Sequence, residues 1–327
     1  LCKHCVLDSS SCIIEFDPRG ICNYCNTYFD TQEKGPSLDD KKLILKDLVE
    51  DIKKQGKTKK FDCLIGLSGG VDSSYLAYFA VRQLGLRPLA VHFDNEWNSE
   101  LAVENVNQII DELQLELLTY VIDWEEFRDL LLAYMKASVV DLEVPTDHFI
   151  FATMYKYAHE NGIKNILNGW NSMTESIMPT GWNSSKDDLA NLLDIHKQYG
   201  TKKLTKFPKL GLKNRLYYYH FAKIKQVYPL DCIDYKISEA KKTLNDKLGW
   251  RDYGGKHYES IWTRFYQGYI LPKKFNIDKR KAHFSNLICS GQMARDKALL
   301  ILQEDPYPQR LQEEDKEFVM SKLGLSK

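Results

Sequence analysis

The residues best placed by type and spacing to do chemistry are Ser68-Gly69-Gly70-Val71-Asp72-Ser73-Ser74. They follow an apolar run, Phe61 to Leu67, and precede Tyr75-Leu76-Ala77-Tyr78-Phe79-Ala80-Val81, a pattern that predicts a strand, a glycine turn and the start of a helix. Such a turn suits an oxyanion. Gly69 and Gly70 can take positive φ and bring backbone N–H groups up to a phosphate, and the helix start adds unpaired donors and the positive end of its dipole. Ser68, Ser73 and Ser74 supply hydroxyls, and Asp72 is an acceptor for a hard cation such as Mg2+. No Gly-Lys-Ser/Thr ending is present, so this is not the loop whose lysine reaches the β- and γ-phosphates. A plain helix cap would also use Ser and Asp, but it has no need of two glycines directly after a buried strand.

Cysteine supplies the second chemistry. Cys2-Lys3-His4-Cys5 and Cys22-Asn23-Tyr24-Cys25 form two Cys-x-x-Cys pairs, and five of the eight cysteines lie within the first 25 residues. A disulfide scaffold would spread them; the crowding points to metal. Each pair reads as a knuckle, with the turn Asp17-Pro18-Arg19-Gly20 between them, as in a small zinc ribbon. Four thiolates closing a tetrahedral shell suit structural Zn2+; iron–sulfur ligation and redox chemistry at a free Cys-x-x-Cys are the alternatives.

The positioning elements follow from periodicity. After a ribbon over residues 1–30, residues 31–60 read as a polar linker and a helix over 39–54. Strands are expected at 61–67, 87–93, 117–122, 163–168 and 227–233, with helices near 72–84, 99–114, 124–137 and 146–161. Repeated βα units predict a doubly wound, mostly parallel five-stranded α/β sheet over 61–235. Ligands of such sheets bind at the carboxyl ends of strands, where the order reverses. His92 and Asp94 end the second strand, and Gly169 and Trp170 follow the fourth, so these are candidates too. His92, Trp97 and Trp170 read equally well as packed residues. Residues 236–327 are expected to form a helical extension. Its basic residues Arg251, Lys256, Arg264, Lys273, Lys274, Arg280 and Lys281 form a candidate clamp for phosphates or an acidic substrate, or a solvated face. The tyrosine run 217–219 reads as helix core and rim rather than a base-stacking platform.

With 327 residues the chain can bury a substantial core, and 45 Lys plus Arg balance 45 Asp plus Glu, leaving no global footprint for nucleic acid. No apolar run reaches the length of a membrane span and the amino end lacks a leader pattern, so a cytoplasmic protein without membrane contact is expected.

The knuckles, the loop at 67–74, the stretch 92–102, Gly169-Trp170-Asn171-Ser172 and the stretch Gly249 to Ser260 together resemble the N-acetyl sugar amidotransferases of the WbpG and PseA type. The resemblance runs from Cys2 to about Asp296. The loop at 67–74 is similar to the PP-loop of the ATP pyrophosphatases, which specifies nucleotide chemistry; the Trp-Asn-Ser segments at 97–99 and 170–172 and the carboxyl-terminal stretch select the family. Glu96 departs from the pattern, since a small residue is expected there. The resemblance implies ATP, Mg2+ and a structural Zn2+, with release of AMP and pyrophosphate. It implies Asp72, Ser68 and Ser73 as catalytic, and Ser68, Gly69, Gly70, Asp72, Ser73, Ser74, His92, Asp94, Gly169, Lys273 and Lys281 as nucleotide- or substrate-binding. Cys2, Cys5, Cys22 and Cys25 would hold zinc and Asp72 magnesium. The implied reaction converts an N-acetyl group on an acidic or nucleotide-linked sugar into an acetamidino group for surface glycan synthesis. Ammonia would come from a HisH-like glutaminase subunit, as no glutaminase nucleophile motif is visible here. A PP-loop tRNA thiolation enzyme is the rival reading, disfavoured by the missing interior Cys-x-x-Cys and the zero net charge. A zinc-ribbon interaction module on a degenerate nucleotide domain is the non-enzymatic one.

Overall fold

The computed structural model describes residues 1–10 and 12–325; residue 11, inside the predicted ribbon, and residues 326–327, closing the predicted extension, lie outside. Five strands, β1 Cys63–Gly66, β2 Pro88–Asp94, β3 Glu116–Val121, β4 Asn165–Leu167 and β5 Lys225–Val227, form one parallel sheet in the order β3-β2-β1-β4-β5. The chain builds outward from β1 to β3 and then returns to the other side of β1. The reversal therefore falls between β1 and β4, which places the 68–74 loop and Gly169 on the two walls of one crevice.

Alternation within β1 explains the two covered faces. Cys63, Ile65 and Leu67 pack with Leu45, Ile52, Ala77, Leu244 and Trp250 on one face, under helices Leu38–Gly56, Val71–Tyr78, Glu100–Leu113 and Ile237–Leu248. Leu64 packs with Val91, Met154 and Ile166 on the other, under helix Val144–Glu160. A further core joins helices Trp124–Ala137, Leu189–Tyr199 and Gln309–Leu323 to the amino-terminal cysteines, around Trp97, Phe127, Trp182 and Trp262.

Several boundaries differ from the sequence reading. The fifth strand spans 225–227 rather than 227–233, because Pro229 has no N–H for the ladder and a short 3-10 turn, Pro229–Cys232, follows. The second cysteine knuckle is the first turn of a helix, Asn23–Lys34, which runs on into the segment read as linker. The next helix then starts at a capping box in which Ser37 and Asp40 satisfy each other's backbone N–H groups. Within the carboxyl-terminal extension a single helical run, Ile261–Phe265, Tyr266–Ile270 and Leu271–Phe275, passes through a π-helical turn, and helices Arg280–Cys289 and Arg295–Ile301 follow. Among the described residues no helix is long and apolar enough to cross a membrane.

Glu96, the one residue out of pattern, has φ of 63°. That left-handed conformation is why a small residue is expected there. The turn is held nonetheless: Asp94 Oδ1 accepts from Glu96 N at 2.9 Å, and Lys322 donates to the Glu96 carbonyl at 2.7 Å and pairs with its carboxylate at 3.2 Å.

Candidate active site and metal centre

Ser68, Gly70, Asp72 and Ser73 line a cavity of about 1420 Å³ that runs from the crevice between β1 and β4 into the carboxyl-terminal helices. Gly69 is the pivot of the loop. Its φ is +81°, and a Cβ there would meet the carbonyl oxygen of Ala102 at 2.4 Å, so only glycine fits. Ser68 and Ser73 lock the turn: their hydroxyls lie 3.0 Å apart, Ser73 Oγ donates to the Gly70 carbonyl at 3.2 Å, and Gly70 N donates to Ser68 Oγ at 3.2 Å. Ser74 lies behind the loop, fully buried, with a hydroxyl that has no partner. Gly169 lines the cavity opposite, where a Cβ would be 3.4 Å from the Asp72 carbonyl.

Asp72 is the centre of a chain of half-buried charge. Tyr235 donates its hydroxyl to Asp72 Oδ1 at 2.5 Å, and Lys256 pairs with Glu175 at 2.8 Å nearby. Burial raises the Asp72 carboxyl above its ordinary value, as does Glu175, against the opposing pull of Lys256 and Tyr235. Burial opposes the Lys256 charge, yet Glu175 and Asp72 hold its pKa above normal. His257 Nδ1 lies 3.6 Å from Glu259; against the cost of burial, that carboxylate holds the imidazole above its usual value. His283 is the opposite case: burial, with Lys256, His257 and Lys279 as neighbours, keeps it neutral, and its Nε2 has no hydrogen-bond partner.

The segment Arg251 to Ser260 closes over the loop. Trp250 Nε1 donates to the Gly69 carbonyl at 2.9 Å and Asn105 brackets Arg251 through both its N and its O, while Ser99 N donates to the Glu259 carbonyl at 2.8 Å. Both ends are thus tethered. Between them, Val71 N donates to the Tyr253 hydroxyl at 3.1 Å. A Cβ on Gly70 would sit 3.2 Å from Glu259 Oε1 and 3.3 Å from that hydroxyl. Tyr253 and Glu259 therefore occupy the space that the loop's N–H groups face. Neither was singled out from sequence, nor were Glu175, Tyr235, His257 and His283; the glycine pair Gly254-Gly255 inside the 251–259 stretch was the available signal of a turn there, and Gly254 has a φ of +89°.

Other candidate residues lie elsewhere. His92 and Asp94 line a separate cavity of about 310 Å³ with Glu96, Asn98, Val103, Val106 and Asn107. His92 is buried, with Nδ1 2.9 Å from the Leu67 carbonyl and Nε2 3.3 Å from Asn98 Nδ2, so Nδ1–H donates to the carbonyl and Nε2 accepts from the amide. Trp97 is core, whereas Trp170 sits at the cavity rim, edge-on to Tyr228. The basic clamp is not one cluster. Lys256, Arg264 and Arg280 reach the cavity, but Arg264 is held by Asp315 through two bonds and Arg280 by Asp278. Lys273 and Lys274 are exposed outside it, Arg251 pairs with Glu104, and Lys281 turns to the ribbon and binds Asp8 at 2.7 Å. Lys273 and Lys281 are thus kept from the cavity by the faces their helices present, and Lys279, buried 5.6 Å from the Tyr266 ring, is the lysine of that stretch which lines it.

Cys2, Cys5, Cys22 and Cys25 are fully buried and their Sγ atoms all lie within 4.8 Å of one another. Contacts of 4.0 Å for Cys2 and Cys25 and 3.7 Å for Cys5 and Cys22 are the edge lengths of a tetrahedral thiolate shell, and the N–H groups of His4, Cys5 and Cys22 point at Cys2 Sγ. The shell fits zinc. It sits against the carboxyl-terminal helices: Arg295 donates to the carbonyls of Cys2 and Cys5, and Cys289 brings a further thiol within 3.6 Å of Cys25.

Two segments of the chain are similar to known families. Residues 43–202 match the NAD synthase family, and residues 259–327 match the C-terminal domain of the LPS biosynthesis protein WbpG-like family. An uncharacterized protein of Methanocaldococcus jannaschii is 28% identical over 118 residues, covering 36% of this chain and 41% of its own length. Among solved structures, an NH3-dependent NAD synthetase from Campylobacter jejuni, in complex with nitrate, aligns at 18% identity and a TM-score of 0.32 over 50% of this chain and 79% of its own. An NMN synthetase from Francisella tularensis aligns at 15% identity and a TM-score of 0.34, over 68% of this chain and 100% of its own. By its family matches the chain is similar to NAD synthases over residues 43–202 and to the WbpG-like C-terminal domain over residues 259–327.

Proposed function

We propose that this chain is the synthase subunit of an ATP-dependent amidotransferase, working in the cytoplasm, that turns the N-acetyl group of an acidic or nucleotide-linked sugar into an acetamidino group for surface glycan synthesis. The observation that carries the reading is that both matched domains line one cavity: Ser68 to Ser73 from the first, and Arg264, Lys279, Arg280 and His283 from the second. At about 1420 Å³ the cavity exceeds what one small ligand fills, as a site for two co-substrates must.

An amide carbonyl is a poor electrophile, because nitrogen donation opposes attack and oxide does not leave. In the proposed reaction the carbonyl oxygen attacks the α-phosphorus of ATP, the bond to the β-phosphate oxygen breaks, and pyrophosphate departs. Ammonia then adds to the carbon, a proton is lost, and the C–O bond breaks to release AMP and leave the amidine. The 68–74 loop supports binding of the pyrophosphate half through its N–H groups and hydroxyls, and so orients the α-phosphorus. Asp72 would hold Mg2+, which neutralises phosphate charge. The recess beside His92 and Asp94, with Val103 and Val106 as apolar walls, suits a purine. The unpartnered Nε2 of His283 suits a hydrogen bond to the substrate, while burial and the cations around it oppose its protonation.

The test is incubation with ATP, Mg2+ and heavy-nitrogen ammonium at alkaline pH, offering a panel of N-acetyl sugar nucleotides beside unmodified tRNA. Labelled sugar amidine with equal AMP and pyrophosphate is the expected result. ADP and phosphate, or modification of tRNA alone with a sulfur donor, would overturn the reading.

A further inference from the structure

Glu96 holds the turn after β2 at a φ of 63°, a conformation in which a glutamate is strained and a glycine is not. Most of the turn is tied by its own chain and one neighbour: Asp94 Oδ1 accepts from Glu96 N at 2.9 Å, Asn95 Oδ1 accepts from Trp97 N at 3.2 Å, and Ile261 N donates to the Trp97 carbonyl at 2.8 Å. The carbonyl of the strained residue is met from elsewhere. Lys322, in the last turn of helix Gln309–Leu323, donates to it at 2.7 Å and is its one donor among the described residues. The ammonium is itself boxed in, 5.3 Å from the centre of the Trp97 ring, 5.1 Å from Trp124 and 5.4 Å from Phe318. An exposed Lys–Glu pair contributes little to any structure. Here the side chain is 21% exposed, aimed at a backbone carbonyl and set over three aromatic faces, which makes it a directional clamp rather than a solvated charge.

The clamped turn is a wall of a cavity. Asp94, Glu96 and Asn98 line the recess beside His92, and Asn98 reaches back to His92 Nε2 at 3.3 Å and to the Phe93 carbonyl at 3.0 Å. We propose that Lys322 is a positioning residue for the nucleotide: from helix Gln309–Leu323 it holds the 94–98 turn in its strained form and so keeps the recess shaped for a nucleobase. The proposal rests on the reading of that recess as the purine site. Lys322 does not line the recess, so it acts through the turn and not by contact with the base. Its helix is anchored without it, because Arg264 holds Asp315 through two bonds and Arg128 donates to the Leu323 carbonyl. Removing the ammonium should therefore free the turn and leave the helix docked. The consequence is a division between the two halves of ATP: the adenine end depends on the carboxyl-terminal helix, whereas the pyrophosphate end depends on the 68–74 loop, where no atom of Lys322 reaches the lining.

The test titrates the full chain with two probes by isothermal titration calorimetry at fixed Mg2+: AMP, which needs the recess, and inorganic pyrophosphate, which the 68–74 loop would hold without it. Lys322→Met keeps the aliphatic stem and removes the ammonium. It should weaken AMP binding about 10-fold, the low end of what a charge-assisted hydrogen bond contributes, and leave pyrophosphate binding within about 2-fold of wild type. A merely structural role would move both probes together. Glycine takes the φ of residue 96 without help, so Lys322→Met introduced into the Glu96→Gly protein should lower AMP affinity less than about 3-fold. Unchanged AMP binding in Lys322→Met, equal losses of AMP and pyrophosphate, or the full loss repeated in the Glu96→Gly background would each overturn the positioning role while leaving the recess as the purine site. Wild type that binds pyrophosphate but not AMP would overturn the purine reading of the recess, and the proposal with it.

Discussion

Tyr253 holds, in the free protein, a backbone donor that ATP should need. Its hydroxyl accepts from Val71 N at 3.1 Å, and Glu259 presses a carboxylate toward Gly70 on the same side of the loop. Binding of a triphosphate would have to break the first contact and displace the second, so the affinity measured is the intrinsic one reduced by the cost of opening. Tyr253→Phe removes the accepting oxygen without changing the ring. A neutral hydrogen bond contributes about 0.5 to 1.5 kcal/mol net, so the variant should bind a non-hydrolysable ATP analogue roughly 2- to 12-fold more tightly. Glu259→Gln should tighten it further, because it also removes like-charge repulsion against phosphate. Isothermal titration calorimetry at fixed Mg2+ and ionic strength reads both. The tethers of the segment, at Gly69, Asn105 and Ser99, are untouched by either change, so the fold should remain. Weaker binding by Tyr253→Phe would refute the reasoning, since it would make the hydroxyl a nucleotide contact rather than a plug.

Asp129 accepts from Thr201, Lys202 and His196, and these hydrogen bonds overcome the cost of its burial and lower its pKa from 3.8 to about 2. A depressed carboxylate stabilises the fold above its unfolded pKa and loses that contribution as pH falls through the folded one. Asp129→Asn should therefore cost about 2 kcal/mol at pH 7 and progressively less between about pH 4 and pH 2, measured by urea unfolding. Stripping the metal from the four-cysteine shell, or Cys22→Ser, should loosen more than the ribbon, because Arg295 and Lys281 bind it to the carboxyl-terminal helices. Hydrogen exchange should rise in Arg280–Cys289 as well as in residues 1–34; protection there unchanged would show that the ribbon is an independent appendage. Gly69→Ala should abolish nucleotide binding and destabilise the fold by more than about 1 kcal/mol, since both its φ and the Ala102 carbonyl exclude a methyl group; a normal thermal midpoint would contradict that geometry.

Periodicity carried the sheet, because β1 and β2 are bounded by glycine or proline and β3 carries the apolar and aromatic run Leu117 to Ile122. It slipped at β5, where three residues give too little pattern and Ile233 extended the apolar run past Pro229. The phosphate loop was legible since its function is in its own local sequence: two glycines, three hydroxyls and one carboxylate in seven residues. The cover over that loop was not. Tyr253 and Glu259 act at 182 and 189 residues' remove from Val71 and Gly70, and nothing in residue type distinguishes a tyrosine that plugs a donor from one that packs.

The same limit explains the basic clamp. Seven cations in one stretch of sequence suggest a common target, but a helix turns successive residues through about 100°, so Lys279, Arg280 and Lys281 point three ways. Lys279 goes inward beside Tyr266, Arg280 goes to Asp278, and Lys281 goes to Asp8. Density of charge along a chain is therefore weak support for a binding site unless the carboxylates that meet it are also known. Between Ile195 and Leu230, where the segment has no carboxylate of its own, Lys202, Lys206 and Arg215 are still met by Glu125, Asp123 and Asp187 from other parts of the chain.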